Sequence, residues 1–161
     1  MNKVFLGLGS NIGNKKNNIN KVIEFFRFDN RFNELQQSSI YETKAYGNIK
    51  QENFLNGVIS FYTNITLDVL FDIVKELENR IGRKKREKWG PREIDIDILL
   101  YGDSVVRNDK LSIPHKDLLN RDFVIVPLIE IDETIIHPVK KKNIKSFLSK
   151  LNDKYIISKI N

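Results

Sequence analysis

Residues 3–8, with Val4, Phe5, Leu6 and Leu8 apolar, give way to Gly9-Ser10-Asn11-Ile12-Gly13, after which Ile19, Val22, Ile23 and Phe26 recur on one helical face. The pattern predicts a strand, a turn and a helix. Residues 37–43 read as a second strand, Tyr46-Gly47-Asn48 as part of a loop, and residues 54–63 as a third strand enriched in aromatics. The apolar positions Leu67, Leu70, Phe71, Val74, Leu77 and Ile81 then repeat at helical spacing, with Thr66 placed to cap the helix and Gly82 to stop it. Residues 93–101 read as another strand. A long loop opens at Pro114-His115 and leads into a helix over residues 122–131 that contains Pro127, and residues 143–151 suit a short terminal helix. The order is βαββαβ with further helices toward the C-terminus. It predicts an α+β fold of ferredoxin-like type, with helices packed on a mostly antiparallel sheet, in a single domain over residues 1–161.

Composition narrows the class. The 161 residues, 40% of them hydrophobic, suffice for one sizeable core and show no repeat, linker or low-complexity stretch. The absence of cysteine excludes a disulfide scaffold, a thiolate metal site and a cysteine nucleophile. The apolar run at the N-terminus is too short for a signal peptide, and no run of about 20 apolar residues occurs, so a soluble cytoplasmic protein without a membrane partner is expected. The net charge of +6 favours anionic partners, although much of the excess sits in two clusters, residues 83–92 and Lys140-Lys141-Lys142.

The first cluster leads into the most informative segment. Between Gly82 and Arg92 stand Arg83, Lys84, Lys85, Arg86 and Lys88, opposed only by Glu87, with the single tryptophan at Trp89. Lysines there act as point charges toward phosphate, arginines as bidentate forks, and Trp89 as a flat face for a base or a guanidinium. Directly afterwards Asp95 and Asp97 point to one face of the predicted strand, while Ile94, Ile96 and Ile98 point to the other. Two acids about 7 Å apart in a half-buried setting repel, and a bridging hard cation such as magnesium relieves the repulsion. Taken alone, the acids also suit a solvated edge strand and the basic run a solvated loop. Together they point to a metal-nucleotide complex. Gly7, Gly9 and Gly13 spell G-x-G-x-x-x-G, one residue too long for a dinucleotide-binding turn, and are read as tight-turn glycines.

Gly9-Ser10-Asn11, Phe54-Leu55-Asn56, Trp89-Gly90-Pro91-Arg92 with Asp95 and Asp97, Ile113-Pro114-His115 and Asn120-Arg121-Asp122-Phe123 carry a resemblance over nearly the whole chain. In order and separation they resemble the hydroxymethyl-dihydropterin pyrophosphokinases of folate synthesis. The resemblance implies transfer of the βγ-diphosphoryl group of ATP to the hydroxymethyl oxygen of 6-hydroxymethyl-7,8-dihydropterin, with release of AMP. It implies that Asp95 and Asp97 hold a pair of Mg2+ ions and that Arg92 and Arg86 serve the transfer; Asp97, if it lies near the hydroxyl, would also take its proton. For the pterin it implies stacking between Phe54, where tyrosine is common, and Phe123. Asn56, Thr43 and Tyr46 would read the ring's edge, and Trp89 would make a further contact. For ATP it implies Glu78, Lys88, Trp89, Arg92, Ile98, Lys110, Ser112, His115, Lys116 and Arg121.

Arg83 and the residues around Arg86 and Lys88 match the family's mobile lid. The span from Gly82 to Trp89 is one residue shorter than in one form of the family, which leaves the lid arginine's place to Lys85 or Arg86. Lys110, Ser112 and Lys116 stand where arginine, threonine and tyrosine are often found, and a lysine keeps the charge but loses the fork. The implied partners are ATP and the reduced pterin, without nucleic acid, bound by a monomer. Two other classes use parts of the pattern. A nucleic-acid-binding α+β domain uses the basic loop and sheet aromatics but leaves the aspartates repelling phosphate. A magnesium-dependent phosphohydrolase uses the aspartates to activate water but leaves Phe54, Asn56 and Phe123 without a task.

Overall fold

Val4, Leu6 and Leu8 point to one side of the first strand, and Phe5, Gly7 and Gly9 to the other, so its two faces meet different fates. The structure is a computed structural model that describes residues 1–47 and 50–160; Asn48 of the expected loop lies outside them. Strand β1 (Asn2–Ser10) is central in the sheet. It lies antiparallel between β4 (Phe54–Thr63) and β5 (Asp95–Tyr101). Beyond β4 lie β2 (Asn33–Gln37) and β3 (Ile40–Thr43), both antiparallel to it, and β8 (Ile156–Ile160) closes the edge on β3. The order β5-β1-β4-β3-β8 is the expected ferredoxin-like arrangement with an added edge strand. Short strands β6 (Val106–Arg107) and β7 (Ser112–Ile113) form a separate ribbon.

On one face α1 (Lys15–Phe28) and α2 (Leu67–Ile81) cover Val4, Leu6, Leu8, Ile59, Phe61, Ile94, Ile96 and Ile98. The isoleucines are where the alternation placed them. Phe26 stacks on Phe61 at 4.9 Å and Phe32 meets both rings edge-on, each such pair worth about 0.5–1.5 kcal/mol beyond its buried area. Gly82, at φ 111°, stops α2 as expected; Thr66 takes the cap position but caps through its carbonyl, which accepts from Leu70 N at 2.9 Å. On the other face α3 (Asp122–Ile131) and 3-10 turns at Leu118–Asn120 and Ile144–Lys150 bury Phe5, Val58, Leu99 and Leu100. The end of that face around Gly7 and Gly9 is left open as a cavity.

Three expectations are corrected. The predicted strand over residues 37–43 is two strands, because the Ser38 hydroxyl accepts the Val58 N–H at 2.9 Å and interrupts the ladder. The terminal helix is a 3-10 helix, capped by the Asn143 side chain on Lys145 N at 2.8 Å. Gly7 and Gly9 lie inside β1, and of the three glycines only Gly13, at φ 73°, takes a turn conformation that favours glycine.

Candidate active site

Register builds the floor of the open face. Gly9 lies opposite Asn56 on β4 and Asp95 on β5, and Gly7 opposite Val58 and Asp97, so both acids and the Asn56 amide share one face with only glycine between them. Asn56 Nδ2 donates to Thr43 Oγ1 at 2.7 Å. A cavity of about 320 Å³ stands over this floor, walled by Phe54, Tyr46, Trp89, Arg121 and Phe123. A second, of about 310 Å³, lies between α2 and the ribbon, with Phe71, Val74, Ile98 and Leu111 as apolar lining and Lys110 and Ser112 at its rim. Lys75, Asp97, His115 and Lys116 line both, so the two cavities share a wall.

The charges of that wall are unevenly compensated. Arg92 Nη1 reaches Asp95 Oδ2 at 2.9 Å, and Arg83 Nη1 reaches Asp95 Oδ1 at 3.0 Å and Glu78 Oε1 at 2.7 Å. Burial works against the Arg83 charge, but Asp95 and Glu78 outweigh it and hold its pKa above the ordinary value. Among the described residues, the basic side chain within 4.0 Å of the Asp97 carboxylate is His115, with Nε2 at 3.8 Å. Burial, followed by the charge of Asp95, pushes the Asp97 carboxyl up to about 7. Burial, followed by the charge of Arg121, holds His115 down at about 4, so it faces Asp97 as a neutral ring. Its Nδ1 accepts from Asp117 N at 3.2 Å, which leaves the ring proton on Nε2, toward the acid.

The ends of the strands and the tryptophan loop are tied together by one side chain. Asn11 Oδ1 accepts from Arg92 N at 2.8 Å, while its amide donates to Gln51 Oε1 at 2.8 Å and Glu52 O at 3.2 Å. Gln51 in turn donates to Trp89 O at 2.7 Å. Trp89, at φ 66°, holds its ring 5.5 Å from Tyr46. Arg121 lies over the Tyr46 ring at 4.4 Å and donates to Asp117 at 3.2 Å; its Nε is buried without a partner among the described residues.

The structure gathers Tyr46, Phe54, Asn56, Trp89, Arg92, Asp95, Asp97, His115, Lys116, Arg121 and Phe123 around the first cavity, and Ile98, Lys110 and Ser112 around the second. Thr43 is fully buried behind Asn56 and holds that amide instead of lining the cavity. Glu78 is also buried, with Oε1 accepting from Ile96 N at 2.9 Å, and supports Arg83 from beneath. Arg86 turns away from the aspartates and pairs bidentately with Glu93 at 2.6 and 2.8 Å. Lys88 is exposed, 5.6 Å from the Trp89 ring. Sequence reading missed Lys75, Asp117 and the cavity-floor role of Gly7 and Gly9. Asp117, four residues before Arg121, carried the one usable signal, an i,i+4 charge pair.

Comparison with known proteins agrees with this arrangement. The family model described as 7,8-dihydro-6-hydroxymethylpterin-pyrophosphokinase (HPPK) matches residues 5–133. A 2-amino-4-hydroxy-6-hydroxymethyldihydropteridine pyrophosphokinase of Aquifex aeolicus is 47% identical over 148 residues, covering 91% of this chain and 91% of that protein. The Haemophilus influenzae protein of the same name is 34% identical over 134 residues, covering 83% of this chain and 84% of that protein. A solved structure of HPPK-DHPS in complex with substrates aligns with a TM-score of 0.70 at 14% identity, covering 92% of this chain and 43% of that one, a likeness of fold.

Proposed function

The chain belongs to the HPPK family, and from that premise we propose how its residues divide the work of diphosphoryl transfer from ATP to 6-hydroxymethyl-7,8-dihydropterin. The observation that carries the reading is the wall shared by two cavities, one aromatic with a buried amide and one apolar with a basic rim. The first suits a flat bicycle: Phe54 and Phe123 offer faces, and Asn56, fixed by Thr43, offers a carbonyl oxygen to an amide-like edge. The second suits a nucleotide, with Ile98, Phe71 and Leu111 against the base and Lys110 and Lys116 toward phosphate. The orphaned Nε of Arg121 is the kind of donor an anion satisfies.

Asp95 and Asp97 fit a hard divalent cation. They offer oxygen donors alone, and Asp97 is raised by burial and by its neighbour, a cost a cation removes. Among the described residues no three His, Cys, Asp or Glu side chains gather into a cage, as suits an ion that completes its shell with substrate phosphates and water. Asp95 and Asp97 would therefore hold Mg2+, which when bound offsets charge on the triphosphate. Arg83 and Arg92 stand beside the acids as forks for phosphate oxygens. The hydroxymethyl oxygen forms its bond to the β-phosphorus as the bond from that phosphorus to the α–β bridging oxygen breaks, so AMP leaves with the bridging oxygen. The hydroxyl proton passes to Asp97, which the register places beside Asp95 on the open face of the sheet. His115, neutral and oriented by Asp117, stands beside Asp97 with Nε2 3.8 Å from its carboxylate.

Both cavities are lined by residues of this chain, so a monomer suffices for this chemistry. No helix among the described residues is long and apolar enough to cross a membrane. The phosphohydrolase alternative leaves the Asn56–Thr43 pair idle, and the relatives give it no support. Calorimetric titration of Asn56→Ala tests the placement: pterin affinity should fall by about tenfold, the effect of one unmet buried hydrogen bond, with ATP affinity retained. Unchanged pterin affinity would remove the pterin from this cavity.

A further inference from the structure

The family match ends at residue 133, yet the chain returns to the site after it. Strand β8 pairs with β3 and sets Ile156 opposite Thr43, the residue that fixes the Asn56 amide. Tyr155 O accepts from Lys44 N at 2.9 Å, which fastens the segment that carries Tyr46. The Asp122 carboxylate, only 6% exposed, makes the second fastening. Its Oδ2 accepts from Tyr155 N at 2.9 Å and Ile156 N at 3.1 Å, and its Oδ1 from Phe123 N at 2.8 Å. Three backbone donors thus account for a buried charge that would otherwise be costly to hold there. One carboxylate joins the backbone of Phe123 to the C-terminal strand.

The side chains repeat the joint. The Tyr155 ring lies 5.8 Å from Phe123 at 83° and 5.3 Å from Tyr46 at 50°. The edge-to-face contact with Phe123 selects ring orientation as well as burying area, and the contact with Tyr46 is tilted. Tyr155 itself does not line the cavity, whereas Tyr46 and Phe123 do. Arg121 lies 4.4 Å from the Tyr46 ring and 5.7 Å from Phe123, and its guanidinium is held separately by Asp117 at 3.2 Å.

We propose that Tyr155, with the Asp122 clamp, is a positioning element of the aromatic slot that orients Phe123, one of the two faces offered to the flat bicyclic substrate, and Tyr46 beside it, from a segment outside the span the family model matches. The inference rests on the reading that the pterin lies in that slot. It assigns no contact with the substrate to Tyr155. Its effect belongs to the pterin side of the reaction, because the nucleotide cavity shares none of these rings.

Steady-state kinetics of the full chain with Tyr155→Leu, Tyr155→Phe and Phe123→Ala tests it. Tyr155→Leu should raise the pterin KM by about three- to tenfold, the scale of two aromatic contacts, with the ATP KM unchanged, and Tyr155→Phe should restore wild-type values because the contact is made by the ring. The inference is overturned if Tyr155→Leu leaves the pterin KM unchanged, or raises both KM values alike, while Phe123→Ala raises the pterin KM. If Phe123→Ala also leaves the pterin KM unchanged, the slot reading fails and the inference falls with it. Should Tyr155→Leu not fold, Asp122→Asn, which keeps the shape and one acceptor oxygen, decides by the same split between the two KM values.

Discussion

Gly9 lies so close to Asn56 that a Cβ on it would stand 2.7 Å from Asn56 Oδ1. The amide cannot retreat without giving up its 2.7 Å bond to Thr43, so the glycine keeps the floor open and the amide in place. Gly9→Ala should raise the pterin KM by about tenfold or more, as expected when a buried polar group loses its partner, and change the ATP KM by less than about twofold. Parallel KM measurements check it; equal effects on both substrates would mean a general disturbance of β1.

Asp97 couples function to stability. Its folded-state pKa of about 7 lies above the ordinary 3.8, so the folded protein favours the neutral acid, and the resulting stability is complete below about pH 4 and lost as pH rises through about 7. Asp97→Asn without ligands should therefore be more stable than wild type at pH 8, by about 1–2 kcal/mol once partial solvent exposure is allowed for, with the difference closing toward pH 4. Denaturant melts at both pH values measure this. A pH-independent difference would contradict the burial of Asp97 as a charged group.

Glu93 holds the basic loop. It takes both Nη atoms of Arg86 and the Lys84 N–H at 3.3 Å, and Arg86 brings its own pKa down to about 2. Glu93→Gln should free the loop, so that limited trypsin digestion at Lys84, Lys85, Arg86 and Lys88 runs several-fold faster than in wild type, with ATP and magnesium slowing it in both proteins. Equal cleavage rates would show that the pair does not restrain the loop.

Much of this arrangement was legible in the chain. Helical spacing from Leu67 to Ile81 and alternation across Ile94 to Ile98 report one-sided burial directly, and both elements formed as read. The break at Ser38 left no trace, because a serine hydroxyl standing in for a ladder group does not alter the hydrophobic pattern. Strand β8 was missed for another reason: its run is short and half-exposed, and its partner β3 lies far away in sequence. In the basic loop, composition showed a surplus of cations but not their directions. Arg83 and Arg92 turn to Asp95, whereas Arg86 turns to Glu93, a choice made by loop geometry. Lys75 is an exposed residue of α2, and only the placement of the ribbon and the sheet beside it makes it part of the wall of both cavities.

The most direct test is a nucleotide product assay with ATP, magnesium and 6-hydroxymethyl-7,8-dihydropterin, run on wild type and Asp95→Ala with a control lacking the pterin. AMP formed only when pterin is present, and reduced by about a hundredfold or more in Asp95→Ala, is the expected result. ADP as product, AMP without pterin, or full turnover in Asp95→Ala would contradict diphosphoryl transfer at this acidic pair.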